Sequence, residues 1–289
     1  MKNLPPKSLG SSPPKSTSWE PVAGWYDNLL SGEASGDTYQ AKVILPNLMR
    51  ILPAKKSEKS EGSDGVSGVG RKILDIACGQ GFFSHAYAAA GADVLGIDIS
   101  SELIKRAREG LREVAQKNGG TNPRFEVDSA SRISAAKNQS FDAAIIVLAL
   151  QNIKEMNETI KEASRALVKG GTFVIVLNHP CFRVLKGSAW GFDENSKTQY
   201  RRIDRYGSAF SVEVDMTPGA KSDATKSYTM SFHRPLQDYF KALSSAGFGV
   251  VGLEEWISHK QSQIGPRAKA EDTARKEFPM FMAMVCKKL

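Results

Sequence analysis

The sequence has no run of 18 consecutive apolar residues, so no segment has the length and hydropathy of a membrane-spanning helix, and no membrane partner is expected. Cysteine is sparse. Cys78, Cys181 and Cys286 lie far apart, which excludes a disulfide-stapled scaffold and fits reduced thiols in a cytoplasmic setting. No CxxC and no His/Cys pair has zinc-ligand spacing, so no metal site is expected. The Pro- and Ser-rich start, MKNLPPKSLGSSPPKSTS, lacks the apolar core of a secretory signal. No internal repeat occurs. A basic stripe is also missing, although the formal net charge is +8. Three Lys fall in the first 18 residues, and seven Lys or Arg stand against three acids in residues 258–289, which leaves the 239 residues between at +1. The excess sits at the two ends and speaks for solubility rather than nucleic-acid binding.

At 289 residues, the chain is one large domain or two small ones, and 41% apolar content excludes wholesale disorder. Residues 1–17 read as a flexible tail, 18–53 as an N-terminal helical cap and 54–70 as a low-complexity loop. Residues 71–289 then alternate strand and helix. Strands are expected at Lys72–Ala77, Asp93–Asp98, Arg124–Val127, Ala143–Leu150 and Thr172–Leu177, with helices at Phe82–Ala90, Ser101–Lys117 and Lys154–Val168. Continuous apolar strands in β-α-β order argue an α/β domain whose parallel sheet is covered on both faces. Residues 179–232 break the alternation and read as an inserted lid, before a helix at Pro235–Ala246 and two closing strands at Gly249–Trp256 and Met280–Cys286. The alternating charges of residues 267–277 fit a solvated helix between those strands.

The sharpest local feature is Asp75-Ile76-Ala77-Cys78-Gly79-Gln80-Gly81, at the end of the first strand and the opening of a helix. Glycines there let backbone approach a ligand, and the helix N-terminus presents free N–H groups. A dinucleotide reading needs a small residue three positions after Gly81, where Ser84 stands, and an acid such as Asp75 suits an ammonium group better than a pyrophosphate. Asp98 ends the second strand, where a ribose diol is usually held, and Asp128 ends the third, where it can accept from an adenine amino group. Each acid also has a plainer structural reading: Asp75 as a helix cap, Asp98 as an N-cap and Asp128 as a turn residue. Three acids ending three consecutive strands favour one ligand with an ammonium group, a ribose and an adenine but no phosphate, which is S-adenosylmethionine.

On these residues, the chain resembles the class I S-adenosylmethionine-dependent methyltransferases that act on small molecules. DxACGxG is similar to their DxGxGxG motif, with Ala77 in place of the first glycine, a swap read as mild. Asp98, Asp128, Phe141-Asp142 and Lys169-Gly170-Gly171 follow in family order. The resemblance covers roughly residues 71–178 by motif and 235–289 by topology. It implies a Rossmann-like, mostly parallel seven-stranded sheet with the last strand antiparallel. It also implies a cofactor site drawn from Asp75, Ala77, Gly79, Gly81, Asp98, Ile99, Asp128 and Ser129, with Leu148 and Gln151 facing the methyl group and Tyr26 closing over the methionine end.

The acceptor side is read from the residues alone. His179, at the end of strand five, is the first candidate acid/base and His233 the second, because the histidine pKa lies near working pH. Arg201, Arg202 and Arg205 among Tyr200, Tyr206 and Phe210 can clamp either a nucleobase or a small acidic acceptor. A small-molecule acceptor methylated on O or N is favoured and nucleic acid disfavoured, because strand four runs into Leu150-Gln151-Asn152 and not into the Asn/Asp-Pro-Pro-aromatic motif of amino-directed nucleic-acid enzymes. An RNA or protein methyltransferase and a non-catalytic S-adenosylmethionine-binding module remain the alternatives. Nothing in the sequence indicates an oligomeric state.

Overall fold

The computed structural model describes residues 37–56, 70–110, 122–215 and 228–289. The expected tail 1–17, residues 18–36 of the expected cap, Tyr26 within them, and most of the 54–70 loop lie outside these ranges.

Apolar runs set the central strands. These are β1 (Lys72–Ile76), β2 (Asp93–Asp98), β3 (Arg124–Val127), β4 (Phe141–Val147) and β5 (Leu167–Asn178). With the C-terminal strands β10 (Phe248–Trp256) and β11 (Phe281–Lys288), they form a seven-stranded sheet in the order β10-β11-β5-β4-β1-β2-β3. The pairs among β3, β2, β1, β4 and β5 are parallel, and β11 runs antiparallel to both neighbours. This is the mostly parallel, Rossmann-like sheet with an antiparallel last strand that the resemblance implied.

Period-two alternation sorts side chains onto the two faces. Leu74, Ile76, Leu95, Ile97, Ala144 and Ile146 pack one way, under α4 (Met156–Ala166) and α5 (Leu236–Ser245). Ile73, Val94, Ala143, Ile145 and Val174 pack the other way. That face is covered by α2 (Phe82–Ala89) and by α1 (Leu45–Ile51), which continues a π-helical turn over Gln40–Ile44. Between β2 and β3 lies α3 (Ser101–Glu109), capped by Ser100, whose Oγ accepts from the Leu103 N–H.

Two strand boundaries differ from expectation by three residues or more. β4 stops at Val147 because Leu148 turns into the left-handed region (φ 53°), ending the strand before the expected Leu150. β5 starts at Leu167, not Thr172: the helix ends at Ala166, and Leu167 is already extended and pairs with Phe141.

Between β5 and α5 the described chain forms two hairpins. β6 (Ser188–Asp193) pairs with β7 (Thr198–Ile203), and β8 (Phe210–Asp215) pairs with β9 (Tyr228–His233). The charged stretch after β10 forms α6 (Ala268–Glu277).

Candidate active site

The turn after β1 is built from alternate left-handed residues: Ala77 (φ 55°), Gly79 (φ 58°) and Gly81 (φ 83°). Ala77 therefore stands where an L side chain is disfavoured, and the Gly-to-Ala swap is a real local strain rather than a mild change. Gly81 caps α2, where its left-handed φ and the Phe125 ring, 2.7 Å from where a Cβ would stand, both call for glycine.

Asp98 holds this turn. Its Oδ2 accepts from Gly79 N–H at 3.0 Å and its Oδ1 from Ser100 N–H at 2.9 Å. Burial pushes its carboxyl pKa up, and the N–H donors pull it back. Asp128 Oδ1 accepts from Ser129 N–H, while Oδ2 accepts from Ala135 N–H at 2.8 Å and from Ser134 Oγ. Asp128 is thus a turn-forming residue as well as a cavity residue. A lone pair remains on Asp98 and on Asp128 Oδ1, so neither acid is closed to a ligand.

These acids open onto a cavity of about 430 Å³, lined by Ala77, Gly79, Asp98, Ile99, Asp128, Ser129 and Leu148 from the sequence-predicted set. Ile99 is 51% exposed and offers an apolar face there. Met230 and Phe232 of β9 and residues 153–155 also form the wall, and sequence reasoning named none of them.

A small extension of about 40 Å³ shares Ala77, Gly79 and Val147 with this cavity and reaches Asp75 and Gln80. Asp75 is 1% exposed, accepts from Ser84 Oγ at 2.6 Å, and has its carboxyl pushed up to about 7, mainly by burial. Gln80 Oε1 is buried with no hydrogen-bond partner among the described residues.

A larger cavity of about 640 Å³ adjoins the first, sharing Leu148 and Phe232 as the wall between them. Gln151 lines this second cavity and not the first. Its Nε2 donates to Leu148 O, and its Oε1 is buried without a partner among the described residues. His233 lines it too, and its Nε2 donates to Tyr206 O at 2.8 Å. His179 does not, although its neighbours Asn178 and Pro180 do. Its ring is 2% exposed: Nδ1 accepts from Cys181 N–H, Nε2 donates to Glu255 Oε1 at 2.7 Å, and burial lowers its pKa. Both His179 nitrogens are occupied and its ring is packed away from the cavity, whereas His233 lines it. Arg234, which no sequence signal marked, donates to the carbonyls of Leu150, Ile153 and Lys154 and so holds the loop that walls both cavities.

Residues 67–187 match the family model described as "Methyltransferase domain". The match begins just before β1 and runs past the end of β5. A ubiquinone biosynthesis O-methyltransferase of Paraburkholderia phymatum is 33% identical over 105 residues, 36% of this chain and 43% of that protein. A demethylmenaquinone methyltransferase of Paenarthrobacter aurescens is 34% identical over 113 residues, 39% and 41% of the two chains. The aligned region thus spans less than half the length of these relatives. An S-adenosylmethionine-dependent methyltransferase from Mesorhizobium loti superposes with a TM-score of 0.58 at 24% identity, covering 84% of this chain and 96% of that one. Another from Clostridium acetobutylicum gives 0.52 at 15%, covering 94% and 99%. At these identities the likeness establishes the fold, which is the class I methyltransferase fold.

The two solved neighbours are named as S-adenosylmethionine-dependent, and the groups around these cavities fit that molecule. The orphaned Gln80 Oε1 and the buried Asp75 are acceptors without a cation, Asp98 and Asp128 are acceptors along the larger stretch, and Ile99 gives an apolar face for a base.

Proposed function

We propose that the protein transfers a methyl group from S-adenosylmethionine to an O or N atom of a small organic acceptor. The observation that carries this reading is the pair of adjoining cavities. One is lined by the acids that end β2 and β3, the other by His233, and Leu148 and Phe232 stand between them. When bound, S-adenosylmethionine supplies an electrophilic methyl carbon on a sulfonium.

The chain's own residues would do three things. Asp98, Asp128 and Ile99 would orient the nucleoside, and Asp75 with Gln80 would hold the ammonium end. Leu148, fixed by Gln151 Nε2 on its carbonyl, and Phe232 would position the reacting centre and exclude water, which is where near-attack geometry gains its rate. His233 would take the nucleophile's proton at Nδ1, the nitrogen left basic because Nε2–H is committed to Tyr206 O.

The relatives named for quinone-pathway methylation support a small acceptor. The polymer reading loses support because its arginines are already engaged: Arg201 over Trp190, Arg205 over Phe210 and Arg202 in an ion pair with Asp204. The acceptor-side cavity with its histidine disfavours a purely cofactor-binding module. A screen of small hydroxyl and amine acceptors with tritiated S-adenosylmethionine tests the proposal. Label transferred to an acceptor, lost in His233→Ala, is expected; tight cofactor binding with no transfer to any acceptor would favour the non-catalytic module.

A further inference from the structure

We infer that the acceptor carries a carboxylate, held by Arg183 and Arg201 in the cavity that His233 lines. This rests on the methyltransferase reading and goes beyond it by naming the acceptor's charge.

Arg183 and Arg201 both line the larger cavity. Among the described residues neither forms an ion pair with a carboxylate. The acid on this wall, Asp37, is already engaged by Lys260 and His259. Arg201 is fixed by neutral partners: Nε donates to Phe182 O at 3.0 Å, Nη2 to Ser188 Oγ at 2.6 Å, and the guanidinium lies 4.9 Å from the Trp190 ring centroid. Burial works against the charge of both arginines, and Arg183 repels Arg201. A guanidinium cannot escape by losing its proton, so a pair of this kind gains most from an incoming anion, and a planar carboxylate matches its fork of donors.

Two further features of the cavity define the rest of the acceptor. Leu148, Val184, Phe232 and Phe281 supply apolar wall, which suits a ring or short chain. Gln151 Oε1 is a buried acceptor with no partner among the described residues, which asks for a hydroxyl or N–H on the ligand. A hydroxy- or amino-substituted carboxylic acid satisfies all three.

The test uses the full chain saturated with S-adenosylhomocysteine. The 2-, 3- and 4-hydroxybenzoates and their neutral hydroxybenzamides are titrated calorimetrically. At least one acid should bind about tenfold or more tightly than its amide, because a charge-assisted bond is lost in the amide. Arg183→Gln should bring the ratio close to one, and Arg183→Lys should keep part of it. An unchanged affinity for S-adenosylhomocysteine verifies that each variant is folded. Equal binding of acid and amide, no binding of any acid, or a preference that survives in both Arg183→Gln and Arg201→Gln would overturn the inference. Failure of the wild-type protein to bind S-adenosylhomocysteine would instead count against the methyltransferase reading, and the acid-to-amide ratio would then be read on the protein alone.

Discussion

Asp98 Oδ2 accepts a hydrogen bond from the Gly79 N–H at 3.0 Å, so the end of β2 fixes the glycine turn that follows β1. One carboxylate therefore shapes the binding turn and lines the cavity the turn creates. Replacing Asp98 with Ala should weaken S-adenosylmethionine binding by about 1.5–3 kcal/mol, the cost of losing a hydrogen bond to a charged group. Calorimetry on the variant measures it. An unchanged affinity would mean that the turn holds without Asp98 and that no ligand hydroxyl depends on it.

Asp75 gives the site a pH dependence with a defined sign. Its carboxyl sits at about 7 in the folded protein against an ordinary value of 3.8. Between those values the folded chain keeps a proton that the unfolded chain has lost, so this group makes stability fall as pH rises through that window. A cation beside Asp75 favours the ionised form, so cofactor binding should release a proton. Affinity should accordingly rise as pH climbs toward about 7 and level off above it, by at most about tenfold per unit for one linked proton. Titrations in buffers of different ionisation enthalpy count the proton, and Asp75→Asn should flatten the profile. A pH-independent affinity in the wild type would separate Asp75 from the ammonium group.

The two histidines should part company. His179→Ala removes a buried ring with both nitrogens bonded and should cost about 1–3 kcal/mol of stability, seen as a lower Tm. His233→Ala should leave cofactor affinity intact and depress turnover. If His179→Ala keeps its Tm and loses only turnover, then His179 is the acid/base and His233 the packing residue.

These histidines also mark how far sequence carries. The β-α-β order, the sheet and the three acids at consecutive strand ends are legible because apolar runs and glycines record them directly. Sequence places His179 correctly at the end of β5, yet Asn178 and Pro180 face the cavity and His179 does not. Alternation along extended chain decides that, and a one-residue offset cannot be read without the pairing register. Arg234 is invisible in the sequence because its partners are backbone carbonyls about eighty residues away. Gln151 is expected beside the cofactor but lines the neighbouring cavity, since Leu148 turns the chain through a left-handed residue just before it.

Ala77 offers a check on the turn itself. A left-handed alanine costs roughly 1–2 kcal/mol, offset partly by the greater freedom glycine has when unfolded. Ala77→Gly should therefore raise stability by about 0.5–1 kcal/mol without loss of cofactor affinity. Thermal melts of the pair test it. A destabilised variant would indicate that the Ala77 methyl contributes packing that outweighs its backbone strain.

The central claim is that the acids ending β1, β2 and β3 form one binding site for S-adenosylmethionine. Calorimetric titration of S-adenosylmethionine and S-adenosylhomocysteine into the full chain, with NADH as control, tests it most directly. Micromolar binding of both, absent for NADH and weakened about tenfold or more in Asp98→Ala, is the predicted result. No binding of either compound would contradict the account and leave the three acids as caps and turns.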